Sequence, residues 1–353
     1  MVSVTQSLNL GVLGLGVLVG TLTFACGHQV PPLSDTSTPT KGCELIKHDG
    51  GETEICGRPR TIVAIGPNVL ELLLALDVQP VGYADYYALP FDHFDQPQSQ
   101  IPYLGERLTG QVKKVGTWNS PSLEAILKLK PDLIVGSTLA NQGQYSLLSQ
   151  AAPTLLFSYG VNEEWQVQLR LLAKILNRSE KAEQVIAAHN QLVTEVRQTL
   201  RPAVQKYPQV LLLASEQLDQ ELAIENRDSR CGGLLENLGF KVLAPKNIST
   251  GTRGVNNISP ELLPELKSDW IFFLAWNRDF SNAGSDLERQ QISTVKQQWR
   301  ENAIAQSLPA SKSNQVYFHS AYVCRALPGP IGTELLLEQL QADLLPAVNS
   351  PTQ

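Results

Sequence analysis

From residue 61 onward, apolar and polar positions follow a repeating strand-helix rhythm. Thr61–Ile65 reads as a buried strand and Gly66-Pro67-Asn68 as a turn. Leu70–Leu76 is a strongly apolar helix, and Val81–Tyr83 is the next strand. Residues 84–115 break the rhythm and are rich in Tyr, Pro and Gln, among them Tyr86, Tyr87, His93 and Tyr103. A loop region of that length beside a compact α/β unit points to function. The rhythm resumes with the strand-like Val112–Val115. Ser122 then caps a helix whose apolar face is Leu123, Ile126 and Leu127. Pro131 ends it, and Leu133–Val135 reads as a strand. A helix at Tyr145–Ala151 and a strand at Thr154–Tyr159 follow.

An offset of 137 residues repeats part of this pattern: Ser122 meets Ser259, Glu124 meets Glu261, Leu129-Lys130 meet Leu266-Lys267, Asp132 meets Asp269 and Ile134 meets Ile271. The period is too long for a solenoid. It predicts two lobes of similar architecture with a cleft between them. Between the lobes the pattern turns wholly helical. Glu164–Leu176 forms one helix, and Ser179 is expected to cap a second that runs to about Leu200, where Pro202 is expected to end it. About 22 residues span roughly 33 Å, enough to bridge two lobes. A stiff single helix is a poor hinge and predicts small opening motions.

The second lobe reads as a strand at Gln209–Ala214, a helix at Leu234–Leu238 and a strand at Lys241–Leu243. The echoed helix starts at Ser259 with Pro260 in its first turn, and Trp270–Leu274 is a strand. A polar helix over 287–306, a strand at Gln315–Phe318, a loop over 319–330 and a closing helix at Ile331–Leu345 complete it. The expected fold is α/β, with two Rossmann-like three-layer lobes joined by one long bridging α-helix.

Residues 1–25 carry no charged side chain, and the apolar run Leu8–Leu22 is short for a membrane span but suits a signal-peptide core. Cys26 follows a small residue, a pattern that resembles the lipidation site of bacterial lipoproteins. Residues 27–42, rich in Pro, Ser and Thr, read as a flexible tether. The expected organisation is a lipoprotein signal peptide over 1–25, tether over 26–42, first lobe over 43–160, linker with the bridging helix over 161–202 and second lobe over 203–353. The chain has 353 residues, 42% hydrophobic and 18% charged, with a formal net charge of −6. No basic block is present, so nucleic acid is not an expected partner. Setting Cys26 aside leaves Cys43, Cys56, Cys231 and Cys324, an even number that favours disulfides outside the cytoplasm. Cys43 and Cys56 bracket a hairpin-like HDGG, so the preferred pairs are Cys43–Cys56 and Cys231–Cys324.

No nucleophile elbow, phosphate loop or zinc-protease motif occurs, so no catalytic residue is assigned. The scattered histidines give no resident metal site, and no cofactor is expected. What recurs is aromatic and Arg residues after predicted strands, where open α/β sheets bind ligands. Asn68 and Tyr86 follow early strands, Trp118 follows Val112–Val115, and Arg253 precedes the echoed helix. Trp276 and Arg278 follow Trp270–Leu274, and Tyr322 and Arg325 follow Gln315–Phe318. Aromatic faces with Arg suit a flat, oxygen-rich or anionic ligand.

RTIVAIGPNVLELLLALDVQPVGYAD and VGTWNSPSLEAILKLKPDLIVGS resemble the substrate-binding proteins of iron-siderophore and cobalamin ABC importers, the helix-linked class of periplasmic binding proteins. GGLLENLGF, NISPELLPELKSDWIFF and GTELLLEQL extend the likeness through the second lobe. The resemblance implies a non-enzymatic receptor, lipid-anchored at the outer face of the cytoplasmic membrane or in the periplasm and acting as a monomer. Such a receptor carries a ferric siderophore to an ABC importer permease. The alternatives are cobalamin or haem, a free metal ion, or an enzyme on the same fold. It also implies that Glu124 and Glu261 dock on the permease, and that Trp118 and Arg325 occupy cleft positions. Arg253 and Tyr322 are expected to join them on the ligand.

Overall fold

The computed structural model describes residues 42–85, 94–158, 164–216, 218, 222–245, 254–275 and 287–349. Residues Pro39–Gln353 form one compact unit. The unit begins with the hairpin β1 (Cys43–His48) and β2 (Gly51–Cys56), paired antiparallel from Cys43↔Cys56 to His48↔Gly51 and closed by the Cys43–Cys56 disulfide. The hairpin lies along the edge of the first lobe: Gly50 N–H donates to the Leu156 carbonyl, and His48 Nδ1 is bonded to the Leu156 main chain. That protects an otherwise open sheet edge.

The first lobe holds β3 (Ile62–Ile65), β4 (Gly82–Asp85), β5 (Lys113–Thr117), β6 (Ser120–Pro121), β7 (Leu133–Ser137) and β8 (Thr154–Phe157) in the spatial order β6-β5-β4-β3-β7-β8. All pairs are parallel except β5 with β6. The strands are apolar throughout because both faces are covered. Helices α1 (Pro67–Ala75) and α4 (Glu164–Leu176) cover one face, with Leu70, Leu73, Leu169 and Leu172 packed on Ile62 and Leu133. Helices α2 (Leu123–Leu129) and α3 (Tyr145–Ala151) cover the other, with Ile126 and Leu148 on Val63, Val115 and Ile134.

The second lobe contains β9 (Gln209–Ser215), β10 (Leu222–Glu225), β11 (Lys241–Val242), β12 (Val255–Ile258), β13 (Trp270–Ala275) and β14 (Val316–Ser320). Its spatial order is β12-β10-β9-β13-β14, with β11 parallel to the start of β9. Along β9, Val210 and Leu212 face α5 (Ser179–Lys206), α6 (Arg230–Asn237) and α8 (Pro330–Asn349). Leu211 and Leu213 face α7 (Leu287–Glu301). Each lobe is therefore a three-layer α/β unit. The Cys231–Cys324 disulfide joins α6 to the turn after β14.

Helix α5 is the bridge. It has 28 residues, about 42 Å at 1.5 Å per residue. Ala182 and Ile186 pack in the first lobe's core, and Val196 and Leu200 in the second's. It runs through Pro202, where the sequence led us to expect an end. Pro202 and Gln198, whose carbonyl it leaves without its helical partner, lie on the exposed face, so the lost hydrogen bond is not a buried one.

The 137-residue echo is real in the strands and absent in the helices. β7 and β13 hold matching places, each parallel to its lobe's first core strand. Asp132 accepts the N–H groups of Arg60 and Thr61 just before β3, and Asp269 accepts that of Gln209 at the start of β9. The matched aspartates thus pin equivalent strands. The helices differ because Ser122 caps an α-helix through the Ala125 N–H, whereas Pro264 holds Pro260–Glu265 to a short 3₁₀ form.

Candidate functional site

The carboxyl ends of β3, β4, β5 and β7 meet around Trp118. Its main-chain N–H donates to the Asp85 carbonyl at 2.6 Å, and its carbonyl accepts from Asn141 Nδ2 at 2.8 Å. Asn141 Oδ1 in turn accepts the Ser137 N–H. The indole lies against Gly66, whose φ of 113° and crowding both require glycine: a Cβ there would stand 2.8 Å from Trp118 Cδ1. Trp118 is 8% exposed, so it closes the end of the apolar layer and presents little open face. Asn68, on the same turn, is 3% exposed, and its Oδ1 has no hydrogen-bond partner among the described residues.

Two carboxyl groups of the first lobe reach the chain that follows β14. Asp85, at the end of β4, accepts the Tyr83 hydroxyl at 2.7 Å and the Tyr322 hydroxyl at 3.3 Å. Glu71 on α1 accepts the Gly329 N–H at 2.8 Å and the Gly332 N–H at 2.7 Å. Burial, and then the charge of Asp85, push both tyrosine hydroxyls far above their ordinary range, so they remain donors. Tyr322, Ala326, Leu327 and Ile331 accordingly belong to the first lobe's core, while Val323 and Cys324 belong to the second's.

This corrects two sequence expectations. Tyr322 is 0% exposed and stacks on Tyr103 with centroids 5.8 Å apart, so it does not lie open to a ligand. β14 extends to Ser320, which turns Tyr322 inward to the lobe-lobe contact. Arg325 is held by buried Glu225: Nε and Nη2 both reach Oε1, at 2.7 and 2.6 Å. Its side chain remains 32% exposed, but its charge is already matched. Tyr86, Arg253, Trp276, Arg278 and Cys26 lie outside the described residues.

Between the lobes, under the middle of α5, lies a cavity of about 330 Å³. Asn68, Ser158, Glu164 and Trp165 line it from the first lobe, His189 and Arg197 from α5, and Arg230 and Thr333 from the second. His189 packs edge-on to Trp165, and burial lowers its pKa. Among the described residues no group of three or more His, Cys, Asp or Glu is arranged to hold a metal ion. No described helix is long and apolar enough to cross a membrane.

Glu124 and Glu261 are exposed, each in the first turn of its short helix. Glu124 accepts from Lys128 Nζ at 2.6 Å, and that bond lowers its pKa. Sequence reasoning missed Glu71, Asp85 and Glu225. The signal for Glu71 was present as a lone acidic residue inside an apolar helix.

A family model described as periplasmic binding protein matches residues 62–322. A probable siderophore-binding lipoprotein, YfiY of Bacillus subtilis, is 27% identical over 93% of this chain and 96% of its own. An Fe(3+)-citrate-binding protein of the same organism, YfmC, is 25% identical over 79% of this chain and 78% of its own. Among solved structures, Staphylococcus aureus SirA complexed with staphyloferrin B superimposes with a TM-score of 0.66 at 25% identity, covering 86% of this chain and 98% of that one.

Proposed function

Since the chain belongs to the periplasmic binding protein family, we propose that it captures a ferric siderophore between its lobes and delivers it to an ABC importer permease. The observation that carries this reading is the near end-to-end likeness to a relative named as a probable siderophore-binding lipoprotein. The fold agrees with it: both sheets are covered on both faces, and the space left for a ligand is the gap between the lobes, beyond the strand ends. Iron travels as part of the cargo, so no metal-ligating cluster is required of the protein.

The finer parts of the proposal concern attachment and hand-over. Lipid on Cys26, followed by the tether, would keep the receptor at the membrane surface while letting it reach the permease. The name of the Bacillus subtilis lipoprotein relative supports this. Glu124 and Glu261 are the proposed docking charges. The 80% exposure of the Glu124 side chain and its easily exchanged Lys128 partner leave it available to a permease Arg.

The test is uptake of radiolabelled iron, supplied as a panel of siderophores, by cells carrying the parent or a Glu124→Arg/Glu261→Arg variant. The parent should restore uptake of at least one chelate to cells lacking the protein. The variant should bind that chelate normally and fail to deliver it. Loss of binding in the variant would remove the two carboxylates from the docking role. Uptake of no ferric chelate would overturn the cargo assignment.

A further inference from the structure

Glu71 is fully buried in α1, flanked by apolar side chains from Val69 to Leu74. A lone carboxylate in such a place is costly unless it is hydrogen-bonded. Here each oxygen accepts one N–H, from Gly329 and Gly332. Those amides lie at the start of α8, where main-chain N–H groups have no partner within their own helix. Glu71 therefore caps a helix that belongs largely to the other lobe and lies 258 residues further along the chain. The fit is close. A Cβ on Gly329 would stand 2.9 Å from the Glu71 carboxyl group, and one on Gly332 would stand 1.9 Å from the Leu327 carbonyl oxygen.

The charged and titratable surroundings are few. Arg230, from α6, is the charged group acting on Glu71. Glu164, His189 and Arg197 line the adjoining cavity. On the strand side stand Asp85, Tyr83 and Tyr322, bonded to one another. On the surface of α8, Glu334 is paired with Arg107.

We propose that Glu71 is a proton-linked positioning residue, which seats α8 and the Tyr322–Ala326 turn against the first lobe and holds a proton that it gives up when the seat opens. Burial pushes its carboxyl up to about 7, against the lowering effect of the Gly332 and Gly329 amides, Arg230 and the Ile331 amide. A protonated carboxyl still offers lone pairs to both N–H groups. When the lobes part, water from the cavity reaches the group and its pKa falls towards the ordinary carboxyl range. A value raised in the seated state means that acid favours seating and that the advantage is lost as pH rises through about 7. The device does not depend on which cargo is carried.

The experiment uses the full chain without ligand, so its outcome is separate from that of the uptake assay. Amide hydrogen exchange at Gly329–Gly332, corrected for intrinsic rates, is followed from about pH 5.5 to 8.5 in the parent and in Glu71→Gln. Parent protection should fall as pH rises towards about 7, approaching tenfold per pH unit, and level off above it, where both states are ionised; in the Gln variant it should be flat. A purely structural Glu71 would lower protection equally at every pH. Equal pH slopes in the two proteins would overturn the proposal. Should Glu71→Gln fail to fold, the infrared carbonyl band of a buried protonated carboxyl decides. It should be present in the parent at about pH 6, vanish by about pH 8.5 and move with ¹³C labelling of Glu. Its absence at about pH 6 would overturn the proposal.

Discussion

Tyr322→Phe removes one hydroxyl from the lobe-lobe contact and nothing else. The ring is wholly buried and stacked on Tyr103, so packing is conserved. The hydroxyl stands 3.3 and 3.4 Å from the two Asp85 oxygens, while that of Tyr83 stands at 2.7 Å from one of them. A hydrogen bond to a charged group is worth about 1.5–3 kcal/mol, and the longer geometry falls below that range. Tyr322→Phe should therefore cost about 1 kcal/mol and Tyr83→Phe about 2 kcal/mol. The double variant leaves a buried carboxyl short of donors, so its cost should exceed the sum by about 1 kcal/mol. Urea unfolding followed by circular dichroism gives all three values from the midpoints. Ligand affinity of Tyr322→Phe should change little, because the hydroxyl faces Asp85. A variant as stable as the parent but weak in ligand binding would refute the reasoning. It would also restore Tyr322 to the ligand-contact role expected from sequence.

The matched aspartates give a paired prediction. Asp132→Ala and Asp269→Ala should each cost about 1 kcal/mol, because the first strands two amides and the second one amide at the start of a core strand. Asp132 is held below the usual carboxyl range by the Arg60 and Thr61 amides, so its contribution is present above about pH 4 and lost as pH falls through its own value; Asp132→Asn should flatten that acid limb in pH-dependent melting. The disulfides should separate by loop length. Removing Cys231–Cys324, with a separation of 93, should cost about 4–5 kcal/mol, and removing Cys43–Cys56, with a separation of 13, about 3 kcal/mol, measured by guanidinium unfolding of the double-Ser variants.

Much of the fold was legible because long periodic segments carry their own boundaries. Tyr145–Ala151 and Glu164–Leu176 lie where periodicity puts them, whereas Ser179, expected to cap α5, is its first helical residue and Arg178 holds the cap position without a side-chain bond. The end of α5 was not legible. Whether Pro202 breaks a helix depends on which face the orphaned carbonyl meets, and that is a property of the tertiary structure. β10 and β12 were missed because LAIE and VNNI are short and sit in an antiparallel edge that neither alternates clearly nor forms a long apolar run. The echo placed the strands correctly but not the second helix, where Pro264 outweighed the shared Ser and Glu positions. The rule that ligands lie beyond strand ends pointed to Trp118 and Asn68, and the structure places both at the carboxyl ends of first-lobe strands, where they are buried. The same rule could not tell that two further ladder pairs, Leu274↔His319 and Ala275↔Ser320, would turn Tyr322 into the core. Nor could it show that buried Glu225, 100 residues away, had claimed Arg325. Partner choice between distant buried charges leaves no local trace in the sequence.

The most direct test of the central claim is a binding titration of the purified protein, following intrinsic tryptophan fluorescence against ferric siderophores, their iron-free forms, cobalamin and haem. The account predicts saturable quenching by a ferric siderophore at one site per chain, much weaker binding of the same molecule without iron, and no saturable response to cobalamin or haem. Saturable binding of cobalamin or haem with none of the ferric chelates would contradict it.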